Sequence, residues 1–387
     1  MNPRVFSLNE SATLKITALT KKLIKEGKDV VNFAAGEPDF DTPLFIKQAA
    51  KAAIDEGFTK YTPSSGRIEL KEAIAGKLWR ENKIEASADN IIVTSGAKYA
   101  IFTAMFTVLS PGDEVIIPQP YWVSYPQICK LVSAKAVFLP ASESNNFKID
   151  AGELKKTITS KTKLLILNYP NNPTGATYSR YELEKIFEVI KEKNIFVLSD
   201  EIYEILTYDG REHISFASLP GAFSSTITIN GFSKTFSMTG WRIGYLAADK
   251  GIIGEASKII DHTTSCASSI SQSAALAALG GRAWQKDLRT KFQERRNILW
   301  KGLSSLSELN PIKPQGTFYM FCDIRGTGMS SFDFSTKLLE KFFVSCIPAD
   351  VFGEEGYVRF SFATSLEQIS KGIVRIGDFL KNGKNNN

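Results

Sequence analysis

Histidine is nearly absent: only His213 and His262 occur in 387 residues. A Ser-His-Asp triad, a His-rich zinc site or a histidine general base would need histidines in better surroundings, so no metal site is expected and the chemistry must rest on other groups. Cysteine is also sparse. Cys129, Cys266, Cys322 and Cys346 stand far apart with no CxxC pair, the usage expected of reduced thiols in a cytoplasmic protein. No apolar run approaches the ~20 residues of a membrane span. The start, MNPRVFSLNE, has neither the basic segment nor the apolar stretch of a secretory signal. No membrane partner is expected. Lys and Arg number 47 against 41 acidic residues, for a net charge of +6. These charges are scattered, and no basic patch suggests a nucleic acid partner.

What is present fits a globular protein. Hydrophobic residues make up 43% of the chain, aromatic residues 11% and charged residues 23%, enough for one large domain or two ordinary ones. Short Val/Ile/Leu-rich runs predict strands at Ile91–Thr94, Glu114–Ile117, Ala136–Leu139, Lys163–Leu167, Ile195–Leu198 and Thr226–Ile229. Segments of helical period lie between them. Leu183, Ile186, Phe187 and Ile190 fall at i, i+3, i+4 and i+7 behind a capping box of Ser179 and Glu182. Ile101, Ala104, Met105 and Val108 repeat the spacing after Ser95. Strands alternating with helices predict an α/β fold with a mostly parallel sheet covered on both faces.

Later in the chain, a charged helix over roughly 280–300 precedes strand-like stretches at Thr317–Cys322 and Tyr357–Phe362. These predict a second, smaller α+β domain. The expected division is an N-terminal arm and part of the small domain over 1–45, a large domain over 46–285, the small domain over 286–380, and a disordered tail over 381–387.

In a parallel sheet, chemistry gathers at the C-terminal ends of strands. Asp200 ends IFVLSD, with Tyr203 three residues on; alone, such a carboxylate could simply cap a turn. LNYPNNPTG, containing Asn172, is a rigid turn after another strand. Ser95, Gly96 and Ala97 join a strand to a helix, which aims backbone N–H groups and the positive helix end outward, a setting for phosphate. In GYVRFSFA, Arg359 alternates away from Val358, Phe360 and Phe362; it is either an exposed ion-pairing residue or a bidentate reader of a carboxylate. Lys234 follows the strand in NGFSKTFSMTGWRIGY among small and aromatic residues, and Arg242 comes eight residues later. A solvated lysine needs no such surroundings, whereas a reactive amine needs desolvation.

Together, a lysine for a Schiff base, a carboxylate at a strand end, a phosphate-suited helix start and a carboxylate-reading arginine match what pyridoxal phosphate requires. The motifs NNPTG, SDEIY and SK..SMTGWRIGY, in this order and spacing, resemble the class I/II aminotransferases of the fold-type I pyridoxal-phosphate enzymes. The resemblance runs from AAGEPDFDTP to VRFSFA. It implies that Lys234 carries the cofactor as a Schiff base and moves the substrate proton, that Asp200 pairs with the pyridine nitrogen, and that Tyr203 and Asn172 bond the phenolic oxygen. Trp122 would stack on the ring. Arg242, Ser233, Ser95 and the backbone of Gly96 and Ala97 would hold the phosphate. Tyr61 would reach the phosphate of a neighbouring subunit, which implies a homodimer with shared active sites. Arg359, helped by the backbone at Gly36, would bind the α-carboxylate of amino acid and 2-oxo acid substrates.

Side-chain choice is implied less directly. The best-known aspartate aminotransferases of this family use an arginine from the partner, but the matching stretch here, DHTTSCASSISQSAAL, contains none. The chain is similar instead to a bacterial subfamily in which a lysine after the phosphate loop takes that role, and Lys98 stands there. The implied reaction moves the amino group of L-aspartate to 2-oxoglutarate. An aromatic or alanine transaminase, or a C–S β-lyase, is the alternative. Prephenate use would call for a lysine before SAT, where Asn9 stands.

Overall fold

The computed structural model describes residues 3–8 and 12–384. Among them, the largest sheet has seven strands, in the spatial order Ile91–Thr94, Gly244–Ala247, Thr226–Gly231, Phe196–Asp200, Thr162–Asn168, Glu114–Gln119, Lys135–Pro140. Six are the strands expected from sequence: Ile91–Thr94 is unchanged, and the other five have boundaries moved by at most two residues. The seventh, Gly244–Ala247, was not expected: it is four residues long and opens on glycine. It runs antiparallel to both neighbours, and every other pairing in this sheet is parallel.

The inner strands are largely apolar runs because both faces are covered. Leu165, Leu167 and Val197 pack against Leu183, Ile186 and Ile190 of the helix Arg180–Ile190. Ile166, Leu198, Ile227 and Ile229 face Ile101, Ala104 and Met105 of the helix Ala97–Val108. Each such Leu, Ile or Met contributes about 1.5–3 kcal/mol through burial. The capping box forms as expected: Ser179 N–H donates to Glu182 Oε2 at 2.7 Å, and Glu182 N–H donates to Ser179 Oγ at 3.3 Å.

The C-terminal part carries a four-stranded sheet, ordered Ile347–Pro348, Tyr357–Ser361, Tyr319–Asp323, Asn310–Pro311. Its core joins Met320, Val358 and Phe360 to Leu299 and Leu303 of the helix Arg282–Ser304 and to Ile369 and Ile376 of the helix Leu366–Lys384. Near the N-terminus, Val31–Asn32 pairs in parallel with Val344–Ser345, tying the early chain to this part. The tail expected to be disordered from 381 is helical through Lys384, because the amphipathic helix that buries Phe379 and Leu380 carries its last turn onward; residues 385–387 lie outside the described residues.

Candidate active site

A cavity of about 390 Å³ opens at the C-terminal ends of the parallel strands. Its wall contains Lys234, Asp200, Tyr203, Asn172 and Trp122, together with Ala97, Lys98, Ser233, Arg242, Gly36 and Arg359. Ser95 lines an adjoining cleft that shares Arg242 and Thr239 with it. Tyr61 stands apart, 88% exposed on the single chain. Asn9 lies outside the described residues.

Lys234 sits in the turn that follows the strand Thr226–Gly231, and its Nζ donates to the carbonyl of Gly36 at 2.6 Å. Desolvation brings its amine down from 10.5 to about 8; Glu37 opposes this, and Arg359, Arg242 and Lys98 reinforce it. Asp200 is the buried last residue of its strand. Burial pushes its carboxyl up to about 6, even though the Tyr125 hydroxyl donates to Oδ2 at 2.6 Å and the Ile202 N–H to Oδ1 at 3.3 Å. Tyr203 shares a 3.2 Å hydrogen bond with the hydroxyl of Tyr319.

Arg359 lies opposite the apolar set of its strand, as the alternation predicts. It is nevertheless 5% exposed, because Tyr319 and Phe352 cover it with ring centroids 4.1 and 5.1 Å from the guanidinium. Nη1 donates to Asn172 Oδ1 at 2.8 Å. Nε is buried with no acceptor. A buried guanidinium donor without a partner is costly unless an anion arrives.

The end of the cavity near Ala97 is built from backbone. Gly96 precedes the helix Ala97–Val108 at φ +89°, and a Cβ there would lie 2.4 Å from Arg242 Nη2. At Gly244 a Cβ would lie 2.6 Å from the backbone N of Ala97. Two glycines therefore let the helix start, the arginine and the antiparallel strand converge. Arg242 is held by Nη1 donating to the carbonyl of Thr239 at 2.9 Å. Lys98, in the first turn, places Nζ 4.9 Å from the ring centroid of Trp122; burial and then Arg242 lower its amine.

A desolvated amine, a buried carboxylate, a helix start stripped of side chain beside an arginine and a second buried guanidinium share one cavity. The family model for class I and II aminotransferases matches residues 28–376. The chain belongs to that family. The aminotransferase is 44% identical over 385 residues to an aspartate aminotransferase of Bacillus sp. (strain YM-2), covering 98% of each chain. It is also 44% identical over 391 residues to a bifunctional aspartate aminotransferase and glutamate/aspartate-prephenate aminotransferase of Petunia hybrida, covering 97% of this chain and 82% of the relative. The solved structure of the Thermus thermophilus aspartate aminotransferase with maleate is 38% identical, with a TM-score of 0.94 over 98% of this chain and 99% of that one. The fold is accordingly fold-type I, and the aminotransferase depends on pyridoxal 5′-phosphate.

The residues present fit that cofactor: the side-chain-free approach at Gly96 beside Arg242 is a place for an anion, and the desolvated Lys234 amine suits an aldehyde. Reading the sequence missed Tyr125 and Tyr319, both in the cavity wall. Tyr125 had a local signal, one helical turn after Trp122; Tyr319 had only its place in a strand.

Proposed function

We propose that this aminotransferase moves the amino group of L-aspartate to 2-oxoglutarate, giving oxaloacetate and L-glutamate. The observation that carries this reading is a pair of cations on one cavity wall: Arg359, with its unpartnered Nε, and Lys98 beside Trp122. A dicarboxylic amino acid offers one carboxylate to each. The Thermus structure with maleate, itself a four-carbon dicarboxylate, supports it, as do the aspartate aminotransferase relatives.

When bound, pyridoxal phosphate supplies an electron-withdrawing ring and an aldehyde carbon. Lys234 would hold it through the amine and, once displaced, move the proton at the substrate Cα; burial, which lowers the amine from its ordinary range, favours the neutral form for this work. Asp200 would pair with the ring nitrogen, Tyr203 and Asn172 with the phenolic oxygen, and Trp122 would cover the ring face. Ser95, Gly96, Ala97, Ser233 and Arg242 would take the phosphate. Asn172 would also hold Arg359 for the α-carboxylate, alongside Gly36. The amino group is stored between two half-reactions, so ping-pong kinetics are expected.

Tyr61, left 88% exposed by one chain, supports a homodimer in which it reaches a neighbour's phosphate. The pairing of Val31–Asn32 with Val344–Ser345 supports a small domain made from 1–45 and 286–380 around a large domain over 46–285. Among the described residues no helix is long and apolar enough to cross a membrane; the unpaired cysteines support a cytoplasmic location.

The test is a half-reaction followed in the cofactor's absorption band, with L-aspartate, L-alanine, L-phenylalanine and L-cystathionine added separately and no oxo acid present. Fastest conversion by aspartate is expected. A clear win for a neutral or aromatic amino acid would replace the substrate assignment with the aromatic or alanine alternative.

A further inference from the structure

Tyr125 touches two cavity residues at once. Its hydroxyl donates to Asp200 Oδ2 across 2.6 Å. Its ring meets that of Trp122 edge-on, with centroids 5.3 Å apart and planes at 81°. The side chain is 2% exposed, so water does not compete for either contact. Burial and the neighbouring Asp200 charge hold the phenol well above its ordinary range, so it remains a donor.

Asp200 receives a second hydrogen bond, from the Ile202 N–H, but at 3.3 Å that one is long. The Tyr125 bond is therefore the short one that offsets the burial of the carboxylate. Tyr125 stands in the helix Ser124–Leu131, and the same helix start carries Trp122 just ahead of it. One side chain thus braces both the carboxylate and the aromatic platform.

We propose that Tyr125, on the reading of Asp200 as the ring nitrogen's partner, is a positioning residue that fixes the Asp200 carboxylate and with it the hold of Asp200 on the cofactor's ring nitrogen. Without the hydroxyl, Asp200 keeps its own proton more readily. The ring nitrogen then carries less positive charge. The nitrogen linking Lys234 to the cofactor loses a nearby cation and gives up its proton at higher pH.

The substitution Tyr125→Phe keeps the ring against Trp122 and removes only the hydroxyl. The bound cofactor's visible band is titrated against pH in the parent, in Y125F and in D200N. The midpoint should rise by about one unit in Y125F and further in D200N. In Y125F, kcat should fall about tenfold while KM for the amino acid changes by less than about threefold. Replacing Tyr125 with 3-fluorotyrosine, a stronger donor of nearly the same shape, should move the midpoint the other way and tests the idea even if Y125F folds poorly. A Y125F midpoint equal to the parent's, with D200N shifted, overturns the role of Tyr125. A lowered melting temperature of cofactor-free Y125F with an unmoved midpoint would make Tyr125 a structural residue only. An unmoved D200N midpoint removes the reading of Asp200, and the role of Tyr125 with it.

Discussion

Lys234 donates its amine to the carbonyl of Gly36 across 2.6 Å, although 198 residues separate them in the chain. The contact joins Lys234 to the AAGEP segment, so the amine is placed by two distant pieces of the fold. It also lies where three other cations, Arg359, Arg242 and Lys98, oppose its charge.

That setting gives a pH dependence with a definite sign. In the cofactor-free protein the amine titrates at about 8 when folded, against an ordinary value of 10.5. The unfolded chain binds more protons between those values, so this group's contribution to stability rises with pH across the window. Lys234→Met should melt higher than the parent below pH 8, and the gap should close between 8 and 10.5. A gap independent of pH would mean the amine is not desolvated. The same variant should have almost no turnover while still binding cofactor.

Gly96→Ala should be expensive for two reasons. An L-residue at φ +89°, ψ 160°, a region essentially confined to glycine, costs about 1–3 kcal/mol, and the new methyl must displace the Arg242 guanidinium. Denaturant melts of the cofactor-free protein should show the first effect. Equilibrium binding of pyridoxal phosphate should weaken at least about tenfold through the second. Unchanged cofactor binding would disconnect Arg242 from the phosphate.

Removing the Asn172 side chain leaves Arg359 without its 2.8 Å acceptor. A hydrogen bond to a charged group is worth about 1.5–3 kcal/mol, so Asn172→Ala should lower kcat/KM about 10- to 100-fold. The loss should be similar for aspartate and alanine, since both carry the α-carboxylate. Steady-state kinetics with the two donors would show it, and a loss confined to one donor would contradict it.

Lys98→Ala should discriminate where Asn172→Ala does not. Without the ammonium beside Trp122, kcat/KM for aspartate should fall about 10- to 100-fold, while alanine changes by less than about threefold. Equal losses for both donors would return Lys98 to a supporting role next to Arg242.

The sheet was legible because its inner strands are covered on both faces, which forces them to be largely apolar. Asp200 and Lys234 were legible because strand ends are where such a sheet exposes chemistry. Arg359 was only half legible. Alternation gave the correct face of its strand, but that face is closed by Tyr319 and Phe352, and no local pattern announces a lid built from elsewhere. Tyr125 lay further out of reach, since its bond to Asp200 spans 75 residues and needs the helix Ser124–Leu131 to be seated first. The strand Gly244–Ala247 escaped for a simpler reason: four residues opening on glycine carry too little periodicity.

That strand has a consequence for how the active site keeps its dimensions. Because it returns antiparallel beside Thr226–Gly231, with Gly231 opposite Gly244, the chain leaves and re-enters the sheet at the same rim. Lys234 and Arg242 are both carried on the arc between. A parallel return would have sent the chain the length of the sheet before it could come back, and the two groups would have depended on separate elements. As built, one closed arc carries both groups, so inserting or deleting a residue within it would change the span from amine to guanidinium rather than shift one contact alone.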